Sequence, residues 1–135
     1  MYSHILVAVS FDGDRDVDQT FHIAERLLAK AGKITLLHVM EEVPGYALSY
    51  MPEGFRKQTK EAIASEMDTL AAKLKGAQGV VVQGHSGRTI LDWASKNEVD
   101  CIVVASHRPG MQDYVLGSTA AQVVRHAQCS VHVVR

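Results

Sequence analysis

Cysteine is scarce in this chain, with two thiols in 135 residues, too few for the disulfide framework on which small secreted domains depend. Cys101 and Cys129 both fall in apolar β-type stretches, where they read as small core residues rather than a redox pair. No apolar run approaches the roughly 20 residues that a membrane-spanning helix requires. Met1 leads almost at once into Ile5-Leu-Val-Ala-Val9, with no charged leader and no cleavage site, so a cytoplasmic protein is expected. Excess positive charge is missing too. Fourteen Lys and Arg stand against 15 Asp and Glu, which excludes the basic footprint of a general nucleic-acid binder. There is no Walker Gly-x4-Gly-Lys-Ser/Thr loop and no Gly-x-Ser-x-Gly elbow, so the common NTPase and hydrolase readings are weak. The seven histidines are scattered without a recognised ligand spacing, and no metal held by side chains is expected.

What is present is an alternation of apolar runs and amphipathic stretches. Hydrophobic residues make up 47% of the chain, and the length suits one domain over residues 1–135 with a sizeable buried core. Residues 4–9 form a first strand that ends in the turn cluster Ser10-Phe-Asp-Gly-Asp14. Asp14 or Asp16 can cap a helix carrying Val17, Phe21, Ala24, Leu27, Leu28 and Ala31 at helical spacing, with Gly32 as its stop. Residues 33–39 give a second strand. Residues 40–54, the longest irregular segment, read as a flap beside the sheet edge. A long amphipathic helix over 55–74 follows, then a tight link at 76–79 and a third strand over 80–83. Ser86 is a candidate cap for a helix holding Ile90, Leu91, Trp93 and Ala94, with Trp93 read as packing. Residues 101–105 form a fourth strand. Ser118 is the expected cap of a helix running to about His126, and residues 130–134 form the last strand.

This β-α-β-α-β-α-β-α-β order predicts an α/β fold, a single open five-stranded parallel sheet, Rossmann-like, with helices on both faces. Strand order 3-2-1-4-5 would reverse the winding between the first and fourth strands. Open α/β sheets bind ligands in the crevice outside the strand ends at such a point. Residues 8–12 and 105–118 would line it, with an anion near the helix that opens at Gly117-Ser118. The last strand would be an exposed edge bearing Val131, Val133 and Val134, open to pairing with a second copy.

The stretch Ile102-Val-Val-Ala-Ser-His-Arg-Pro, with Tyr114-Val-Leu-Gly-Ser118 and Ala120-Ala-Gln-Val-Val-Arg-His-Ala-Gln-Cys-Ser-Val-His-Val-Val-Arg135, resembles universal stress proteins. The likeness extends along the whole chain and is densest with the bacterial F/G branch. It implies a cytoplasmic α/β protein that forms a homodimer through its last strand, residues 130–134, and that binds ATP, with or without Mg²⁺. ADP or AMP are the alternative ligands. The family's nucleotide motif, Gly-x2-Gly-x9-Gly-Ser/Thr, is only partly kept. Ala105 and Arg108 stand where the first two glycines are expected, eight residues separate Arg108 from Gly117, and Gly117-Ser118 is intact. The first strand ends Ala8-Val9-Ser10 instead of the Pro-Val-Asp frequent in ATP-binding relatives.

Carried onto this chain, the resemblance puts the phosphates at Ser106, Arg108, Gly117, Ser118 and Thr119. An arginine fork can pair with phosphate where a glycine amide is lost, and Ala105 at a strand end needs no positive φ. His107 either faces the phosphates or packs on the loop. The adenine would touch Ala8, Val39 and Val104, and Ser10 or Asp12 would hold the ribose. A nucleotide-responsive stress-response sensor or regulatory module is the expected function. A slow ATPase or self-phosphorylating or adenylylating enzyme is the second reading, and a nucleotide-free dimerisation module the third.

Overall fold

The computed structural model describes residues 1–11, 17–106 and 116–135. Five parallel strands, β1 (Tyr2–Ala8), β2 (Leu28–Met40), β3 (Ala77–Gln83), β4 (Cys101–Ala105) and β5 (Ser130–Val134), lie in the order β3-β2-β1-β4-β5. The helices are α1 (Val17–Leu27), the single turn α2 (Gly45–Leu48), α3 (Phe55–Ala71), α4 (Ser86–Lys96) and α5 (Ser118–His126). The expected sheet order and the reversal beside β1 are both present.

Side-chain alternation explains why β4 and residues 5–8 of β1 are apolar without a break. On β1, Ile5 and Val7 face one way and pack with Phe21 and Ala24 of α1 and Met67, Leu70 and Ala71 of α3. Leu6 faces the other way, with Ile90 and Ala94 of α4 and Ala120 and Val123 of α5. Cys101 and Val103 of β4 repeat the first face, and Ile102 and Val104 the second. A strand covered on both sides turns both sets of side chains inward, so its run is mostly apolar, which is the mark of a doubly wound sheet; His4 and Thr35 are the buried polar exceptions.

Several boundaries differ from the sequence reading. Helix α1 ends at Leu27, and Leu28 already pairs with Tyr2 as β2 begins. The next pair is His4 with Lys33, so five residue steps on β2 answer two on β1 in an irregular ladder. Gly32 therefore does not stop a helix. A β-carbon there would lie 2.6 Å from Leu28 Cδ1 and 3.0 Å from the main-chain oxygens of Tyr2 and Ser3, so its role is to let two backbones touch. Likewise β3 starts at Ala77 instead of residue 80. Gly79 lies inside it, where a β-carbon would meet Met67 at 2.8 Å, and so α3 can press directly onto the strand. Helix α3 closes at Ala71, short of 74. Cys129 sits in the bend before β5, half-buried, and not in a strand. Both cysteines are free, and burial first of all raises both thiols, Cys101 to about 11. The expected caps at Asp14 and Asp16 lie outside the described residues.

Candidate functional site

A cleft of about 370 Å³ opens at the carboxyl ends of β1 and β2, on the face covered by α4 and α5. Its volume falls within the range of small-molecule sites. Parallel strands and their following helices build it together: each strand exits there, and each helix returns with its N-terminus pointing in. Ala8, Val9 and Ser10 form its floor at the end of β1, and Leu37 and Val39 continue it along β2. Ile90 of α4 closes the apolar side, while Ser118 and Thr119 open α5 on the other.

Of the residues predicted from sequence, Ala8, Ser10, Val39, Ser118 and Thr119 all line this cleft. Val104 is 2% exposed, within the core between the sheet and α4/α5, and is not among the lining residues. Ala105 is half-buried at the end of β4. Ser106 is buried and acts through its backbone, its amide donating to the Val134 oxygen at 2.8 Å and its oxygen accepting from the Gly117 amide at 2.6 Å. That second bond ties the start of α5 to the end of β4. Asp12, His107 and Arg108 lie outside the described residues.

The expected caps are differently built. The N-cap of α5 is Gly117, in extended conformation, with Ser118 as the first helical residue. A glycine offers no side-chain oxygen, so the first amides of α5 receive no cap from it. The N-cap of α4 is His85, also without a side-chain cap, and Ser86 is the first helical residue. Its hydroxyl turns away from the helix to donate to Glu41 Oε1 at 3.1 Å. By sequence, neither helix carries an acidic residue in its first turn, and both present the positive end of a helix dipole to the cleft.

Glu41, Ser86, Ile90, Leu37 and His38 are lining residues that the sequence reading missed, while Val9 falls within the expected 8–12 segment. Glu41 and Ser86 each follow a strand's carboxyl end, which was the available signal. His38 Nδ1 donates to the Val9 oxygen at 2.8 Å, and its ring packs against Phe11 at a centroid distance of 5.0 Å. The rim beside β1 is thereby stiffened.

Residues 1–135 match the family model described as the universal stress protein family. Universal stress protein A homolog 2 of Coxiella burnetii is 30% identical over 140 residues, spanning 99% of this chain and 95% of its own. Among solved structures, the universal stress protein UspA from Lactobacillus plantarum aligns with a TM-score of 0.72 at 25% identity, over 99% of this chain and 98% of that one. A universal stress protein family protein of Arabidopsis thaliana, solved with AMP bound, shares the fold with a TM-score of 0.67 at 21% identity, over 98% and 90% of the two chains.

Proposed function

Because the chain belongs to the universal stress protein family, we propose that it is an adenine-nucleotide-binding regulatory module of a stress response, taking ATP or a shorter adenine nucleotide and working as a cytoplasmic homodimer. The cleft carries this reading. It joins an apolar wall of Leu37, Val39 and Ile90, suited to a flat base, to the uncapped start of α5 with the hydroxyls of Ser118 and Thr119, suited to phosphate. A relative solved with AMP bound has the same fold. Among the described residues no three His, Cys, Asp or Glu side chains gather into a metal site. A Mg²⁺ carried in with a nucleotide would be held chiefly by its phosphates and water. Ser10 supports the ribose only as a hydroxyl, a weaker partner than a carboxylate.

The dimer would form through β5. That strand is the end of the sheet, and Val131 and Val133 on it are half-buried in the single chain, so an added strand would cover a ready edge. No helix of the described residues is long and apolar enough to cross a membrane.

The test is to denature protein purified without added nucleotide, identify any released nucleotide by mass, and titrate ATP, ADP and AMP onto emptied protein by calorimetry. Released adenine nucleotide or micromolar binding supports the proposal. A chain that ignores all three while remaining dimeric would instead be a dimerisation module.

A further inference from the structure

We propose that Glu41 sets which way round a nucleotide lies in the cleft and selects a purine that carries an amine at C6. This rests on the nucleotide-binding reading above. Two helix N-termini reach the same cleft, since Ser86 opens α4, Ser118 opens α5, and both line it. By dipole alone, either could receive phosphate. What separates them is a carboxylate. Glu41 lies one residue beyond β2, at the exit of the strand beside β3, and accepts a hydrogen bond from Ser86 Oγ at 3.1 Å. The α4 end of the cleft is therefore already supplied with an anion. Among the described lining residues Glu41 is the one carboxylate, so a phosphate at α4 would meet like charge, whereas at α5 it would meet Ser118 and Thr119.

With the phosphates directed to α5, the base falls at the other end, against Leu37, Val39 and Ile90 and beneath Glu41. An ionised carboxylate is a pure acceptor. It can accept from the N6 amine of adenine. Hypoxanthine and guanine carry a carbonyl oxygen at that position, which would face the carboxylate lone pair to lone pair. Glu41 is exposed in the absence of ligand, so water competes for the contact and the discrimination should be modest, about tenfold, as for one charge-assisted hydrogen bond. Ser86 would act as a positioning residue, holding the carboxylate toward the cleft.

ATP and ITP share sugar and phosphates and differ at C6, amine against carbonyl, and at the adjacent N1, which carries a proton only in ITP. Calorimetric titration of each onto the emptied wild-type protein, Glu41→Gln and Glu42→Gln should give three results. The wild type favours ATP about tenfold. Glu41→Gln, whose amide can present a donor or an acceptor, gains affinity for ITP and brings the ratio near one. Glu42→Gln, a neighbouring exposed carboxylate that does not line the cleft, keeps the wild-type ratio. Equal wild-type affinities, or an unchanged ratio in Glu41→Gln, would overturn the role of Glu41 while leaving nucleotide binding in place. A wild-type protein that binds neither nucleotide would remove the underlying reading and this inference with it.

Discussion

His4 Nε2 accepts a hydrogen bond from Thr35 Oγ1 at 2.8 Å, joining two buried polar side chains on neighbouring strands at the end of the sheet opposite the cleft. The other ring nitrogen, Nδ1, donates to the Asn97 oxygen at 2.9 Å, and Trp93 packs edge-on at 5.8 Å. In this arrangement the imidazole is neutral and both nitrogens are used. Burial, the largest influence, pushes its pKa below the ordinary 6.5, with Lys33 acting in the same direction against the Asn97 oxygen and Asp100.

Acid should therefore weaken the fold through His4. Once the pH falls below about 6.5, the unfolded chain takes up a proton that the folded chain resists, so the unfolded state binds more protons and stability drops as pH falls. Above that range this contribution is fully present and flat. Unfolding free energies from urea melts between pH 8 and pH 5 should decline below pH 6.5 by at most about 1.4 kcal/mol per pH unit for one proton. His4→Phe should remove most of that slope, and a variant with the wild-type slope would show that other groups cause it.

Asp100 fastens the start of β4 to β1. Its carboxylate accepts from the amides of Ser3 at 2.9 Å and His4 at 3.0 Å, while its own amide donates to the His4 oxygen at 3.1 Å. Burial works against its charge, but these amides and His4 outweigh it and hold the carboxyl below its usual range. Asp100→Asn keeps one acceptor and turns an NH₂ group toward the second amide. The expected loss is about 1–2 kcal/mol, discounted because water reaches the Ser3 side, read as a lower urea midpoint at pH 7. The carboxylate's contribution is present above the ordinary carboxyl pKa and is lost as pH falls through the lowered one. The difference between Asp100→Asn and wild type should therefore shrink only in strong acid, well below the His4 window.

Gly79→Ala tests the contact between α3 and β3. Its new β-carbon would lie 2.8 Å from Met67 Cβ and 3.0 Å from the Met67 carbonyl carbon and oxygen. Main-chain atoms cannot swing aside as a side-chain tip can, so the helix must shift, at a cost of about 1–3 kcal/mol. A thermal melt should show a clear fall in midpoint. An unchanged midpoint would mean that α3 does not press on the strand at this residue.

Some of these features were legible in the sequence and others were not, for definite reasons. β4 and β5 both have the expected bounds; β4 is a short apolar run buried along nearly its whole length, which leaves no ambiguity of period, while the half-buried edge strand β5 follows a bend. The start of β2 was hidden. Leu28 and Ala31 keep helical spacing after α1, and only pairing with Tyr2 draws Leu28 into the sheet. Glycine misled for a related reason, since Gly32 and Gly79 look like punctuation but are places where chain segments touch. The cleft residues reached by motif, Ser118 and Thr119, lie within one contiguous stretch. Glu41 and Ser86 are 45 residues apart and belong to no motif. They meet because β2 and β3 are adjacent and end on the same side of the sheet.

Ser118→Asp sets stability and binding against each other. Ser118 is exposed and is the first residue of α5, so a carboxylate there faces the positive end of the helix dipole and should stabilise the protein by about 0.3–1 kcal/mol. The same carboxylate would stand where the phosphates are proposed to sit. Like charge should then weaken ATP binding by more than about tenfold, the loss expected when a charge-assisted contact becomes a repulsive one. Ser118→Ala removes only the hydroxyl and leaves the backbone amides, so its binding loss should be several-fold smaller. A melt and a titration on the same samples decide the matter. Raised stability with lost binding cannot come from unfolding, and would put the phosphates at α5. Raised stability with wild-type ATP affinity would place them elsewhere in the cleft.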